Sequence, residues 1–187
     1  MKIGITGSIS SGKSTATRFI SKGIYPCFSA DKVIKKFYKN KSFLNILVRK
    51  FKLKDKKNIK NSIKKLITRN KKNIKILEKI IHPLVRKKML IFSKTKHRKK
   101  HLIFEIPLLV ESKLFRYFDF IIFIGSEQRI RRKRYINSGG NVKLFEFLNK
   151  RQIKPKLKEK YCDYLVQNNK TIGSLKKKLD KIMKLYE

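Results

Sequence analysis

The run Gly7-Ser8-Ile9-Ser10-Ser11-Gly12-Lys13-Ser14 constrains this chain more than anything else in it, because it fits G-x-x-x-x-G-K-[ST] without a mismatch. A loop that wraps a polyphosphate must turn its backbone N–H groups inward, and Gly7 and Gly12 permit that close approach. Lys13 supplies a point charge for the β- and γ-phosphates, and the Ser14 hydroxyl is suited to ligate a bridging Mg²⁺. Before the loop, Lys2-Ile3-Gly4-Ile5-Thr6 is a short apolar run suited to a buried parallel strand; after it, Thr15-Ala16-Thr17-Arg18-Phe19-Ile20 reads as a helix. Strand, loop, then helix is the context that separates a phosphate-binding loop from a Gly/Ser turn that happens to precede a lysine. The helix N-terminus adds partial positive charge where phosphates would lie. The sequence therefore predicts nucleotide binding at Gly7, Ser10, Ser11, Gly12, Lys13, Ser14 and Thr15.

At 187 residues the chain suits a single domain, 1–187, with a sizeable core. The apolar run at Ile3 to Ile5 is too short for a signal peptide, and no uninterrupted apolar stretch of about 18 residues is present to span a membrane. Cys27 and Cys162 give neither a metal spacing nor a disulfide framework, so a reducing cytoplasm is expected, with both cysteines as small core residues. A formal net charge of +39 would ordinarily argue for a nucleic-acid partner. Lysine is abundant everywhere, however, which is the mark of a chain-wide bias. From Lys35 to Lys100 the only acids are Asp55 and Glu78, so this middle third is the most basic region. Its faces are solvated helix surfaces that favour polyphosphate substrates and give loose, salt-sensitive RNA binding.

Further along, Gly23-Ile24-Tyr25-Pro26-Cys27-Phe28 predicts a second strand, with Asp31 just past its end. In open α/β sheets ligands bind outside the carboxyl ends of the strands, which puts Asp31 on the rim of the phosphate loop. Its carboxylate either orients and deprotonates an acceptor hydroxyl or caps a helix over Lys32 to Tyr38; the sequence supports both equally. From Lys32 to about Lys100 the pattern is helical, with Phe43, Leu44, Leu47, Val48 and Phe51 at three- and four-residue steps. It is too long for one crossover helix and reads as an insertion. Asp55-Lys56-Lys57-Asn58 predicts a turn, and a long helix is expected over Ile74 to Phe92, with a kink or new N-terminus at Pro83. His101 to Glu105 resembles a third buried strand whose last residue, Glu105, is a candidate to assist Mg²⁺. Asp119 to Ile124 and Asp163 to Val166 predict two more, and a terminal helix runs from about Thr171 to Tyr186. Five strands alternating with helices indicate a parallel, doubly wound sheet of the P-loop NTPase type. Glu127 to Arg134 is too basic for a core helix; it is either a solvated face or a lid carrying guanidinium groups to a transferring phosphoryl group. Ser138-Gly139-Gly140-Asn141 offers a hinge.

Taken in order, these pieces resemble the dephospho-CoA kinase family. The resemblance rests on the Gly7 to Thr15 loop, Ser29-Ala30-Asp31, Ile81-His82-Pro83-Leu84-Val85-Arg86 and Pro107-Leu108-Leu109-Val110-Glu111, then Gln128/Arg131/Arg134, Arg151-Gln152 and Cys162 to Val166 before Asn168. It implies a phosphotransferase that moves the ATP γ-phosphoryl group to the ribose 3′-hydroxyl of dephospho-CoA, with ATP as co-substrate and Mg²⁺ held through Ser14. It also implies a core of residues 1–31, 101–126 and 160–187, a helical CoA-binding region near 32–100 and a lid near 127–155. Lys13, Asp31, Arg131 and Arg134 would be catalytic, and Asp31, His82, Arg86 and Glu111 would bind the acceptor. No specific nucleic acid, no membrane and a monomer or weak homo-oligomer are expected. The chain departs from the family where Ser8 and Ser10 replace the usual glycines and where Ser29 replaces the first aspartate of an Asp-x-Asp pair. Two rivals stand beside this reading: a P-loop kinase for another small acceptor such as a nucleoside monophosphate, and a basic nucleic-acid-binding protein. A GTPase is disfavoured, because Asn149-Lys150-Arg151-Gln152 and Asn169-Lys170-Thr171-Ile172 both lack the aspartate of Asn-Lys-x-Asp.

Overall fold

The structure, a computed structural model, describes residues 1–54 and 58–186. In chain order its elements are β1 (Lys2–Gly7), α1 (Lys13–Ser21), β2 (Cys27–Ser29), α2 (Ala30–Phe37), α3 (Lys41–Phe51), α4 (Ile59–Arg69) and α5 (Lys71–Thr95). They continue with β3 (Leu102–Glu105), β4 (Phe120–Gly125), α6 (Gln128–Asn137), α7 (Val142–Arg151), α8 (Pro155–Glu159), β5 (Tyr164–Gln167) and α9 (Ile172–Lys184). The turn expected at 55–58 lies outside the described residues except for Asn58, which stands at the N-cap of α4. The chain packs as two compact units, Met1–Ser29 with Ser93–Glu187, and Ala30–Phe92.

The first unit is built on a five-stranded, all-parallel sheet in the order β2-β3-β1-β4-β5. Strands covered on both faces must be apolar throughout, and β3 and β4 are buried at every position, β1 at all but its first. The edge strand β5 alternates instead, with Val166 buried and Leu165 exposed. On one face α1 and α9 lay Ala16, Ile20, Leu175, Leu179 and Met183 over Ile3, Ile5, Ile103 and Ile122. On the other, Gly4 leaves room for Leu109, Phe118 and Ile121, which a Cβ would meet at 3.0, 3.1 and 3.2 Å. Because β1 is flanked by β3 and β4, the chain reverses its lateral order there, so the loop after β1 opens at the crevice where α/β sheets bind ligands.

The second unit consists of α2 to α5. Its buried residues keep helical spacing, with Phe43 and Leu47 on α3, Ile59 and Ile63 on α4, and Ile74, Leu77, Ile81, Val85 and Met89 on α5. α3 packs on α4, and the Phe43 ring lies 5.5 Å from each of the Phe37 and Tyr38 rings.

Three local expectations are narrowed or corrected. Of the kink or new N-terminus expected at Pro83, the new N-terminus is excluded: α5 runs through Pro83 from Lys71 to Thr95. An interior proline costs about 3 kcal/mol, but each fully buried aliphatic side chain stabilises by about 1.5–3 kcal/mol. The stripe Leu77, Ile81, Val85 and Met89 passes through the proline unbroken, so burial wins. β2 covers Cys27–Ser29, not Gly23 to Phe28, because Gly23 sits at φ 72° in the turn after α1 and Pro26 has no N–H to give a ladder. Cys27 is exposed and not a core residue: β2 is an edge strand, and its alternation buries Phe28 and turns Cys27 outward.

Cys162 is half-buried, and burial first, then the neighbouring Asp163 charge, push its thiol up to about 12. Thiolate is the reactive form. A maleimide at neutral pH should therefore label Cys27 well before Cys162, as peptide mass mapping will show; prior labelling of Cys162 would contradict the burial described for it.

Candidate active site

The glycines of the phosphate loop are required by contact as well as by conformation. Gly7 has φ 151°, and a Cβ on it would lie 2.2 Å from the Ile124 carbonyl oxygen of β4. Gly12 has φ 97°, and its Cβ would lie 2.3 Å from Asn168 Nδ2. Gly12 is also the N-cap of α1, which no side chain caps and whose first turn carries no acid. The N–H groups of that turn are therefore left to an anion. Lys13 is nearly buried, and its Nζ donates to the Ser8 carbonyl oxygen at 2.8 Å, so the ammonium folds back over the loop. The Ser11 N–H donates to the same oxygen at 3.2 Å. Ser10, one of the serines standing where glycine is usual, adopts φ 56° in the left-handed region.

β3 brings the acid. Its last residue, Glu105, pairs in register with Ile5 on one side and Ser29 on the other, at the carboxyl ends of β3 and β2. Glu105 is buried, and its Oε1 accepts a hydrogen bond from Ser14 Oγ at 2.5 Å. A hydroxyl and a carboxylate offer only hard oxygen donors, which suits Mg²⁺. Beyond Glu105, the Pro107 carbonyl oxygen accepts from Thr6 Oγ1 and from Lys158 Nζ, each at 3.2 Å.

α6 and α7 bring cations and their partners. Arg131 is 4 % exposed; its Nε donates to the Ser126 carbonyl oxygen at 2.9 Å, and its Nη1 donates to Asn149 Oδ1 at 2.7 Å and to the Ile9 carbonyl oxygen at 3.5 Å. Burial lowers its pKa from the usual arginine value. A segment this basic nonetheless puts one guanidinium inside the protein, over the Phe145 ring at 5.8 Å and beside the phosphate loop. Arg134 Nη2 donates to the Asn168 carbonyl oxygen at 3.1 Å, and Asn168 Nδ2 donates to the Ser11 carbonyl oxygen at 2.8 Å. Lys13, Ser14, Glu105, Arg131 and Arg134 thus gather around one loop.

Glu111 Oε1 receives Lys158 Nζ at 2.7 Å and the Ile153 N–H at 3.2 Å, while its buried Oε2 has no hydrogen bond among the described residues. Lys158 is fully buried. In the second unit Asp31 lies inside the first turn of α2, which begins at Ala30, so it is not the N-cap; a carboxylate there still meets the positive end of the helix. His82 and Arg86 stand four residues apart on α5, on one face of that helix.

Gln152 and Asn168, marked in the sequence only by the family resemblance, touch the loop at Ile9 and Ser11, and Asn149 bonds Arg131; local periodicity signals none of these contacts. Only Asn168, directly after β5 at a strand carboxyl end, occupies a place that the rule used for Asp31 would have flagged.

A left-handed non-glycine residue costs about 1–2 kcal/mol, whereas a glycine's extra unfolded-chain freedom costs about 0.4–1 kcal/mol. Ser10→Gly is therefore expected to stabilise the protein by about 0.5–1 kcal/mol, read as a higher urea midpoint at unchanged slope. A lower midpoint would show that the serine side chain makes a compensating contact.

With this geometry in view, comparisons with known proteins are specific. The family model for dephospho-CoA kinase matches residues 1–174. A dephospho-CoA kinase of Bartonella quintana is 31% identical over 175 residues, covering 91% of this chain and 90% of its own. Among solved structures, a dephospho-CoA kinase from Campylobacter jejuni superposes with a TM-score of 0.69 at 25% identity, covering 98% of this chain and 96% of its own. The Thermus thermophilus protein TT1252 shares the fold with a TM-score of 0.82 at 23% identity, covering 100% and 98%. A phosphate loop on β1 and a carboxylate on β3 are common to many P-loop kinases, but a match along almost the whole length is not, and the chain belongs to the dephospho-CoA kinase family.

Proposed function

We propose that the chain transfers the γ-phosphoryl group of ATP to the ribose 3′-hydroxyl of dephospho-CoA, giving CoA and ADP, the last step of CoA synthesis. The observation that carries the chemistry is the Ser14 hydroxyl bonded to the Glu105 carboxylate immediately beside the phosphate loop. Phosphoryl transfer is catalysed mainly by positioning and electrostatics, so each role is a placed charge or donor. Gly7, Ser10, Ser11, Gly12 and Thr15 shape the loop around the ATP phosphates. Lys13 keeps one ammonium donor on the Ser8 carbonyl oxygen and turns the others to the β- and γ-phosphate oxygens. Arg131 and Arg134, held at the loop by Asn149 and by Asn168, supply positive charge to the equatorial oxygens as they gain negative charge.

Ser14 and Glu105 would hold Mg²⁺. No group of three or more His, Cys, Asp or Glu able to hold a metal is found among the described residues, and Mg²⁺ needs none when nucleotide phosphates and water complete its shell. When bound, the ion would supply positive charge to neutralise the phosphate oxygens. Asp31 accepts the proton of the attacking hydroxyl. His82 and Arg86 bind the acceptor, whose phosphates suit a guanidinium, and the unengaged Oε2 of Glu111 accepts from an acceptor-side donor.

No helix among the described residues is long and apolar enough to cross a membrane. We place the enzyme in the cytoplasm as a monomer or weak homo-oligomer without a specific nucleic-acid partner. RNA binding, where it occurs, should collapse as salt rises, because it rests on a net charge of +39 and not on a built site; affinity that survives moderate salt would contradict this.

The decisive measurement is coupled ADP release from MgATP and dephospho-CoA. Turnover is expected; folded, ATP-binding protein that fails to turn over dephospho-CoA, or prefers a nucleoside monophosphate, would remove the assignment. Lys13→Ala should lower kcat by about 100- to 1000-fold, the usual loss for one donor to transition-state charge. Asp31→Asn should lower kcat by about 100-fold or more, as for a lost general base, with the KM for ATP nearly unchanged. An equal loss of ATP affinity would instead give Asp31 a structural or metal-binding role.

A further inference from the structure

The peptide unit joining Ser8 to Ile9 is held at both ends by side chains. Its carbonyl oxygen, on Ser8, accepts from Lys13 Nζ at 2.8 Å, and its N–H, on Ile9, donates to Gln152 Oε1 at 2.8 Å. A trans peptide is planar, with its C=O and N–H pointing in opposite directions, so fixing one end fixes the other. Gln152, 143 residues away in sequence, therefore sets the direction of the carbonyl on which the Lys13 ammonium rests.

We propose that Gln152 is a positioning residue for Lys13, acting through the Ser8–Ile9 peptide plane; the proposal rests on the nucleotide-binding role given to Lys13 above. The Ile9 carbonyl belongs to the next peptide and meets Arg131 Nη1 only at 3.5 Å. Ser10, at φ 56°, lets the chain turn immediately afterwards. Gln152 is itself fixed, because the residue after it gives its N–H to Glu111 Oε1 and the buried Lys158 closes the same carboxylate at 2.7 Å. Lys158 also donates to the Pro107 carbonyl oxygen, which Thr6 Oγ1 shares, so the segment from Gln152 to Lys158 is tied to the strand that leads into the loop. A segment moored in this way presents an acceptor at one defined point, which a mobile surface glutamine would not.

The test uses the full chain and reads ATP affinity by titration, without turnover. Gln152→Leu removes the acceptor at a half-buried position while keeping most of the volume. It should weaken ATP binding by about fivefold to tenfold, the loss of one neutral hydrogen bond, with the KM for dephospho-CoA within about twofold of the parent. Amide exchange at Ile9 should quicken, and Gln152→Glu, which keeps an accepting oxygen, should retain the slow exchange. In a Lys13→Ala background Gln152→Leu should add no further loss of ATP affinity, because the group it positions is gone. Additive losses in the double variant, unchanged ATP affinity in Gln152→Leu, or equal weakening towards both substrates would each overturn the proposal. A parent protein that binds ATP but does not turn over dephospho-CoA would fail the kinase assignment alone, and the titration would still decide the role of Gln152.

Discussion

The structure depends on the absence of a side chain at Gly7. β1 runs between β3 and β4, and where it ends the backbone passes so close to the Ile124 carbonyl that a Cβ would be 2.2 Å from it. That contact lets the chain leave the central strand and turn at once into the loop that leads to α1. A larger residue would push β1 from β4, and with it the register that sets Gly7 opposite Ile124. Everything chemical follows from this exit. The loop enters α1 at Gly12 without a capping side chain, so the helix keeps its unsatisfied amides for a ligand. Glu105, one strand over, stands at the carboxyl end of β3, which pairs in parallel with β1, and its carboxylate reaches the Ser14 hydroxyl.

The basic segment of α6 shows how the same composition can serve two purposes. Its arginines alternate between solvent and protein: Arg129, Arg132 and Lys133 are exposed, whereas Arg131 is buried and Arg134 partly so. Burying a guanidinium is costly unless its donors are met, and those of Arg131 meet the Ser126 carbonyl, the Asn149 amide and the Ile9 carbonyl. All three are neutral. The charge of Arg131 is therefore not cancelled by a carboxylate within its hydrogen-bond set, and it remains to act on an anion brought to the loop. An ion-paired arginine in its place would have to break that pair first.

Much of this was legible in the sequence. The central strands were readable because burial on both faces makes them continuously apolar, and the motif with its flanks located the loop within a residue or two. The failures share a cause, which is that local pattern does not report what lies beside an element. Phe28 and Cys27 look alike as apolar residues until β2 is known to be an edge. Pro83 looks like a boundary until the stripe that passes through it is known to be buried. Gln152 and Asn168 were marked by the resemblance alone; their contacts with Ile9 and Ser11 cross 143 and 157 residues, and no periodicity spans such a distance. Glu105 was found by the rule that ligands gather at strand ends, and Asn168 obeys the same rule.

With only 12 acids among 187 residues, where the chain keeps a carboxylate is informative. Asp119 and Asp163 stand at the amino ends of β4 and β5, and each accepts a backbone N–H from the neighbouring strand, of Lys2 and Ile121, at 2.7 Å. Glu127 bonds the Asn169 amide at 3.0 Å and Glu111 closes the buried pair with Lys158. Those carboxylates accept from backbone and side-chain donors of neighbouring segments, a structural task. Glu105 differs: it sits at the carboxyl end of its strand, and its described partner is a hydroxyl that has no need of an ionised acceptor. A serine is satisfied by a backbone carbonyl or water, so a buried carboxylate at that point is an expense for stability alone. A cation held beside Ser14, as proposed above, would explain its place, since a charge that is unfavourable beside a hydroxyl would become favourable beside an ion.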